Sequence, residues 1–275
     1  IFVLALASLH PKSEVWSAAY NALSSVCRIG THLFEFMEYR KILNDKQTGK
    51  GTATAPVGRG LARVLSGWYQ GKSADKLAYQ LIKYRQRHNW THADVLRVAR
   101  PTPKTQAYSD LFNWVVNRGD EGYEITESVV RNFPIVWVFE QVQKSTSSQE
   151  VINFIQQLSL PREAIPTEML KNPAIWQVLL YDMPVVAMLR NLPTLTRLGL
   201  FKIQENIDIV AKRLLGYSKI NPSSEIHPMA FLTARIVYGA GTSIRGDTTW
   251  TPNGKIMNLL DKCLAESFKN VQPTG

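Results

Sequence analysis

Apolar residues along the chain recur at helical spacing, and the alternation expected of strands is scarce. Val15, Ala18, Ala19, Ala22, Leu23 and Val26 trace one face of a helix that should stop near Gly30. Thr31 is placed to cap the next helix, with Leu33, Phe34 and Met37 inward and Arg40 and Lys41 exposed. Leu61, Val64, Leu65 and Trp68 repeat the pattern within residues 57–69, and Leu77, Ala78, Leu81 and Ile82 repeat it within residues 73–87. The run FPIVWVFEQV at 133–142 is β-branched and aromatic enough for a buried strand, but its helical neighbours favour a helix. The opening IFVLALASLH reads as the interior of a buried helix in a chain whose earlier residues are absent.

Local chemistry marks the starts and breaks. Thr91 with Asp94 three residues later fits a capping box, Ser147 or Ser148 can cap a helix, and Asn172–Pro173 and His227–Pro228 place proline at a first helical position. Pro101 and Pro103 block continuation of the helix before them. KQTGKGTATAP at 46–56 reads as a mobile loop, NRGDEGYE at 117–124 as a turn, and KINPSSEIHP at 219–228 as a break. The result is roughly a dozen helices, with successive pairs about 35 to 45 residues apart. This predicts an all-α, HEAT-like helical-repeat solenoid, which presents long surfaces to an extended ligand.

Composition adds a core and a sign. With 275 residues and 45% hydrophobic content the chain can bury a substantial interior. The net charge of +10 and the pI of 9.6 make nucleic acid the leading partner class, ahead of an anionic membrane surface. No apolar run is long enough to span a bilayer. The two cysteines, Cys27 and Cys263, lack zinc-ligand spacing and read as buried thiols in a reducing compartment, which points to the cytoplasm.

The charge is segregated. Residues 59–104 carry ten Lys or Arg against two acids, whereas residues 119–168 carry eight acids against three basic residues. Such a directional field suits a polyanion bound on one side. Its centre is KYRQRHNWTHADVLRVAR at 83–100, where Lys83, Arg85, Arg87, Arg97 and Arg100 face a single acid, Asp94. A helix over 73–87 would set Lys76, Lys83 and Arg87 in one solvent-facing stripe, and Arg59 and Arg63 would extend the surface. His92 falls in the first turn of the following helix, where the macrodipole disfavours an imidazolium, so it should act as a neutral hydrogen-bonding group.

Other chemistries fit less well. His88 and His92 are four apart across a helix break without a matching carboxylate, and Cys27 and His32 fall in different helices and read as packing neighbours. A HEAT-like DNA glycosylase would use Trp68, Trp90 or Trp114 against a base, and a protein scaffold would use the acidic segment to dock a basic partner. Trp16, Trp137 and Trp176 fall on apolar faces, Trp90 is placed either to stack on a base or to pack on its own helix, and His227 reads as a cap.

Five stretches carry a family resemblance in one order: CRIGTHLF (27–34), GRGLARVLSGWY (58–69), LIKYRQRHNWTHADVLR (81–97), MPVVAMLRNL (183–192) and IHPMAFLTARIVYGAG with IRG (226–246). Together they resemble the TROVE module of the Ro autoantigen family from the first residues to about Phe268, and residues 1–275 are read as one domain. The resemblance implies a ring of HEAT-like repeats that binds Y RNA or Y-like noncoding RNA on an outer basic surface. It also implies that 3′ ends of misfolded RNA enter a central hole, for RNA quality control, with an exoribonuclease as a further partner and no membrane partner. It assigns Y RNA contact to Lys83, Arg85, Arg87 and His92. Arg59, Arg63 and Arg97 match less certainly assigned basic positions, and Lys76 and Arg100 rest on charge alone. The family's N-terminal helices and its von Willebrand A domain, with that domain's divalent metal, are expected outside these residues. No cofactor and no catalytic residue is expected here, and DTTWT at 247–251 matches a metal-site pattern by chance.

Overall fold

The computed structural model describes residues 1–49, 51, 57–220, 226–244 and 246–270. It is helical almost throughout, as the apolar spacing predicts, and falls into two compact units, Ile1–Gln141 and Val142–Gly275.

In the first unit α1 (Phe2–Ala7) packs on α3 (Gly30–Thr48), and α2 (Ser13–Val26) packs on α4 (Arg59–Gln70). Next come α5 (Ala74–Lys83), a two-stranded hairpin of β1 (Gln86–Arg87) and β2 (Trp90–Thr91), α6 (His92–Ala99) and α7 (Gln106–Asn117). The α4–α6, α6–α7 and α5–α7 contacts continue the stacking, and α8 (Glu127–Asn132) and α9 (Pro134–Lys144) follow. The apolar faces of α3, α4 and α5 form the core, with Phe34, Phe36, Leu61, Leu65, Trp68 and Tyr69 essentially inaccessible. Each such side chain contributes roughly 1.5–3 kcal/mol on burial.

In the second unit α10 (Ser148–Leu158) packs on α11 (Pro173–Asp182) and α11 on α13 (Gln204–Ile220), while α12 (Val185–Arg197) packs on α14 (Pro228–Gly239) and α14 on α15 (Gly254–Ser267). The starts follow their sequence signals. Asn172 Oδ1 accepts from Ala174 N at 2.9 Å, Ser147 Oγ from Glu150 N at 3.3 Å, and His227 Nδ1 from Met229 N at 3.2 Å. The 133–142 run is the helix α9. Cys27 and Cys263 are buried free thiols, and burial pushes each up to about 11.

Five expectations change. Thr31 does not cap α3: the helix begins one residue earlier, at Gly30, with Ile29 at its N-cap and no side-chain cap bond. α5 stops at Lys83 instead of reaching Arg87, because residues 84–91 turn back as the hairpin. Arg40 is buried: α1 closes over α3, and the guanidinium donates to the Ser8 carbonyl at 3.1 Å and to Ser8 Oγ at 2.6 Å. The opening helix is not interior throughout, since its six residues put only Leu4 and Ala5 inward and leave Phe2, Val3 and Leu6 exposed. Trp16 sits on the rim against Tyr20, not in the core. As for the segment at 46–56, α3 extends to Thr48 with Gly49 as its left-handed cap at φ 68°, and residues 50 and 52–56 lie outside the described residues. α13 runs to Ile220, and residues 221–225 of the expected break also lie outside them.

Candidate nucleic-acid interface

The hairpin organises the site. Gln86 pairs with Thr91 and Arg87 with Trp90, and the two turn residues, His88 and Asn89, both lie in the left-handed region at φ 52° and 63°. That is the backbone of a two-residue type I′ turn, whose twist matches its strands; Asn is the non-glycine residue most at ease there. Trp90 anchors the hairpin from beneath, buried and donating Nε1 to Glu38 at 3.0 Å. At 5% exposure it does not offer its ring face to a base.

β2 runs directly into α6 through the capping box. Thr91 Oγ1 accepts from Asp94 N at 3.2 Å, and Asp94 Oδ2 accepts from Thr91 N at 2.8 Å. This turns His92 inward, where it is only 3% exposed. Its Nδ1 shares a hydrogen bond with Tyr69 Oη at 2.9 Å, and its ring centroid lies 4.7 Å from that of Phe34 and 6.1 Å from that of Trp68. Nε2 has no hydrogen-bond partner of good geometry. Burial pulls the imidazole down to about 3, against a smaller opposing pull from the Tyr84 backbone. His92 is thus neutral, as expected, but desolvation is the main cause. The expectation that it presents a polar group at the surface is corrected: it is a core residue that holds the base of the hairpin and the start of α6.

The cations distribute as follows. Arg87 stands exposed on β1, Arg97 on α6, and Arg100 at the α6 C-cap with φ 45°. Arg59 and Arg63 are exposed on α4 and Lys76 on α5. Lys83 is half-buried at the end of α5, its Nζ donating to Tyr79 Oη at 3.2 Å and lying over the Tyr79 and Tyr84 rings. Ending α5 there removes the helical stripe that would have joined Lys83 to Arg87.

Arg85 and Arg97 instead converge on a cleft of about 450 Å³ between the hairpin, α6 and the end of α7. A third guanidinium, Arg118, also lines it, with its Nε 3.1 Å from Glu140 Oε1, which in turn accepts from Trp114 Nε1 at 2.9 Å. The Arg118 and Arg85 guanidinium carbons lie 4.6 and 5.3 Å from the centroid of the same Phe139 ring. Sequence reasoning missed Arg118 because it sits in a stretch read as a turn, and its carboxylate partner lies 22 residues on. Lys83, Arg87, Arg100, Arg59, Arg63 and Lys76 are not among the residues lining this cleft.

The other chemistries find little geometry. Trp68 and Trp114 are both 1% exposed, with Trp68 Nε1 donating to the Cys27 carbonyl, so neither offers a ring face as a glycosylase would require. Cys27 Sγ meets the His32 backbone carbonyl at 3.6 Å, not the imidazole, and exposed His88 shares no helix face with His92. Among the described residues no three His, Cys, Asp or Glu side chains gather as metal ligands, and no helix is long and apolar enough to cross a membrane.

Comparison with known proteins gives this arrangement a family. The chain is 30% identical over 300 residues to the RNA-binding protein RO60 of Caenorhabditis elegans, covering 94% of this chain and 46% of that protein. It is also 30% identical over 281 residues to the RNA-binding protein RO60 of Deinococcus radiodurans, covering 100% of this chain and 49% of that protein. The chain thus spans about half the length of these curated relatives. Its structure is similar to the crystal structure of the Deinococcus radiodurans RO (RSR) protein, with a TM-score of 0.74 and 27% identity over 99% of this chain and 52% of that one. The TROVE domain family model matches residues 2–240, and the chain belongs to the TROVE domain family.

Proposed function

We propose that this chain is the RNA-binding part of a cytoplasmic ribonucleoprotein. It holds a structured noncoding RNA of the Y RNA type on the basic face of its first unit, through Arg87, Arg97, Lys83 and Arg85. Arg59, Arg63, Lys76 and Arg100 add attraction, and His92 acts from the core by positioning the hairpin. The observation that carries the reading is the exposed Arg87 on a hairpin clamped by buried Trp90 and His92, within a segment of ten cations and two acids, 59–104. Phosphate contacts of this kind supply affinity without sequence. The two relatives, both named RNA-binding proteins, support RNA over DNA or an acidic protein. We carry two finer points from the family resemblance as part of the same reading: capture of single-stranded 3′ ends for quality control, and partnership with an exoribonuclease.

Binding of a Y-type RNA stem measured from low to moderate salt tests the reading. The log–log slope should be steep, and Lys83→Ala with Arg87→Ala should reduce its magnitude by roughly two while weakening binding. A double variant with unchanged slope and affinity would remove these residues from the interface.

A further inference from the structure

The second unit carries an apolar surface that RNA binding by the first unit does not use. We propose that the groove between α12 and α14 docks one amphipathic helix of a partner protein, with apolar anchors in the groove and acidic side chains against Arg190 and Arg197. The groove lies wholly within the second unit and includes none of the cations assigned to RNA.

Spacing and side-chain size make the groove. It is lined from α12 at positions 186, 189, 190 and 193 and from α14 at positions 230, 233, 234 and 237, and each set is one face of a helix. Facing stripes of this kind usually interlock. Here Ala230, Thr233 and Ala234 are too short to fill the gap, and Pro193, inside α12, cannot donate to the Leu189 carbonyl. A space of about 340 Å³ remains. It can seat the anchor side chains of a helix but not the helix itself, which is about 10–12 Å across.

The apolar surface continues past the groove, since Val186, Met229 and Ile236 are 41, 55 and 59% exposed. A small ligand in the groove would leave those side chains in water, whereas a helix laid along it covers them. Charge sets the sign of the partner. Neither α12 nor α14 contains Asp or Glu. Arg235 is paired with Asp261 of α15 at 2.7 Å, but Arg190 and Arg197 are exposed and make no salt bridge among the described residues. Seven residues separate them, which puts both on one edge of α12, about 10 Å apart along its axis. Acidic residues one heptad apart on a partner helix match that interval. Nucleic acid matches less well, because the lining is aliphatic apart from Tyr238, whose ring is 1% exposed and offers no face for base stacking.

The test uses the full chain and, as its probe, a displayed library of helical peptides about 18 residues long. Selected peptides should share an apolar stripe at helical spacing with Asp or Glu a heptad apart along one edge. Reversing both charges with Arg190→Glu and Arg197→Glu should weaken a selected peptide roughly tenfold, and replacing its acids by lysine should restore binding to that variant. Ala234→Phe, which fills the groove, should abolish binding; the charge-reversed variant changes only exposed positions and decides the matter if the filled one does not fold. A library that yields no acidic amphipathic helix overturns the proposal, as does a selected peptide that the charge-reversed variant binds unchanged. Single-stranded oligouridylate binding that the charge reversal removes, with peptide binding unaffected, assigns the groove to nucleic acid. Dimerisation in sedimentation that the charge reversal removes, again with peptide binding unaffected, assigns it to a second copy of this chain. Either result overturns the partner helix.

Discussion

Tyr69 and His92, 23 residues apart, share a 2.9 Å hydrogen bond inside a closed aromatic shell, and this bond joins α4 to the first turn of α6 directly beneath the candidate interface. His92→Ala should therefore act on stability first. Losing the packed ring and stranding the tyrosine hydroxyl should cost about 2–4 kcal/mol in chemical denaturation. RNA affinity, measured where the variant is folded, should fall only as far as the hairpin loosens. An unchanged midpoint with a large affinity loss would return His92 to the role of direct contact.

Burial of the same imidazole gives stability a pH dependence. Its folded-state value of about 3 is depressed below the ordinary value of 6.5, so below that ordinary value the unfolded chain binds a proton that the folded chain refuses. This contribution is fully retained above about pH 6.5 and is lost as pH falls toward 3, with a slope of about 1.4 kcal/mol per pH unit. Urea unfolding of wild type and His92→Gln should show the wild type losing about 2 kcal/mol more stability between pH 7 and pH 5; parallel curves would contradict the burial.

Gly30 is required at its position by contact, not by conformation. A Cβ there would lie 2.9 Å from both His92 Nε2, on a ring packed in the core, and Tyr84 Cβ, which is fixed to the backbone. Gly30→Ala should lower stability by about 1–3 kcal/mol in a thermal or denaturant melt.

Asn89 tests the hairpin without changing a charge. At φ 63°, Asn89→Val should cost about 1–2 kcal/mol and weaken RNA binding by displacing Arg87, whereas Asn89→Gly should preserve both. Comparable RNA affinity for the valine and glycine variants would show that the hairpin does not set the position of Arg87.

Where the sequence was readable, the determinants are local. The Thr91–Asp94 box, the Asn172–Pro173 start and the caps at Ser147 and His227 each involve side chains bonding backbone within three residues, so spacing alone reveals them. The hairpin was hidden because the apolar spacing up to Ile82 invites the helix to continue, and no glycine marks the turn. The left-handed pair His88–Asn89 is sustained by Trp90 bonded to Glu38, 52 residues away. His92 was misplaced for the same reason: its cap is local, but Phe34, Tyr69 and the space at Gly30 come from two earlier helices. Arg40 likewise looks exposed until Ser8 is brought to it. The charge segregation was legible as a sum, but not the selection of Arg85, Arg97 and Arg118 for one cleft, which depends on how α6, α7 and α9 stack.

The change from helix to extended chain after Lys83 also alters reach. A continuous helix would place Arg87 about 6 Å further along its axis than Lys83, whereas extended backbone allows up to about 13 Å for the same four residues. The hairpin therefore works as a ruler with a coarser graduation than a helix. The spacing of the two cations is set by residues 84–87, and the pairing of Arg87 with Trp90 fixes where that stretch ends, so changing its length can retune which grooves or bends of an RNA are matched while the helical core keeps its packing.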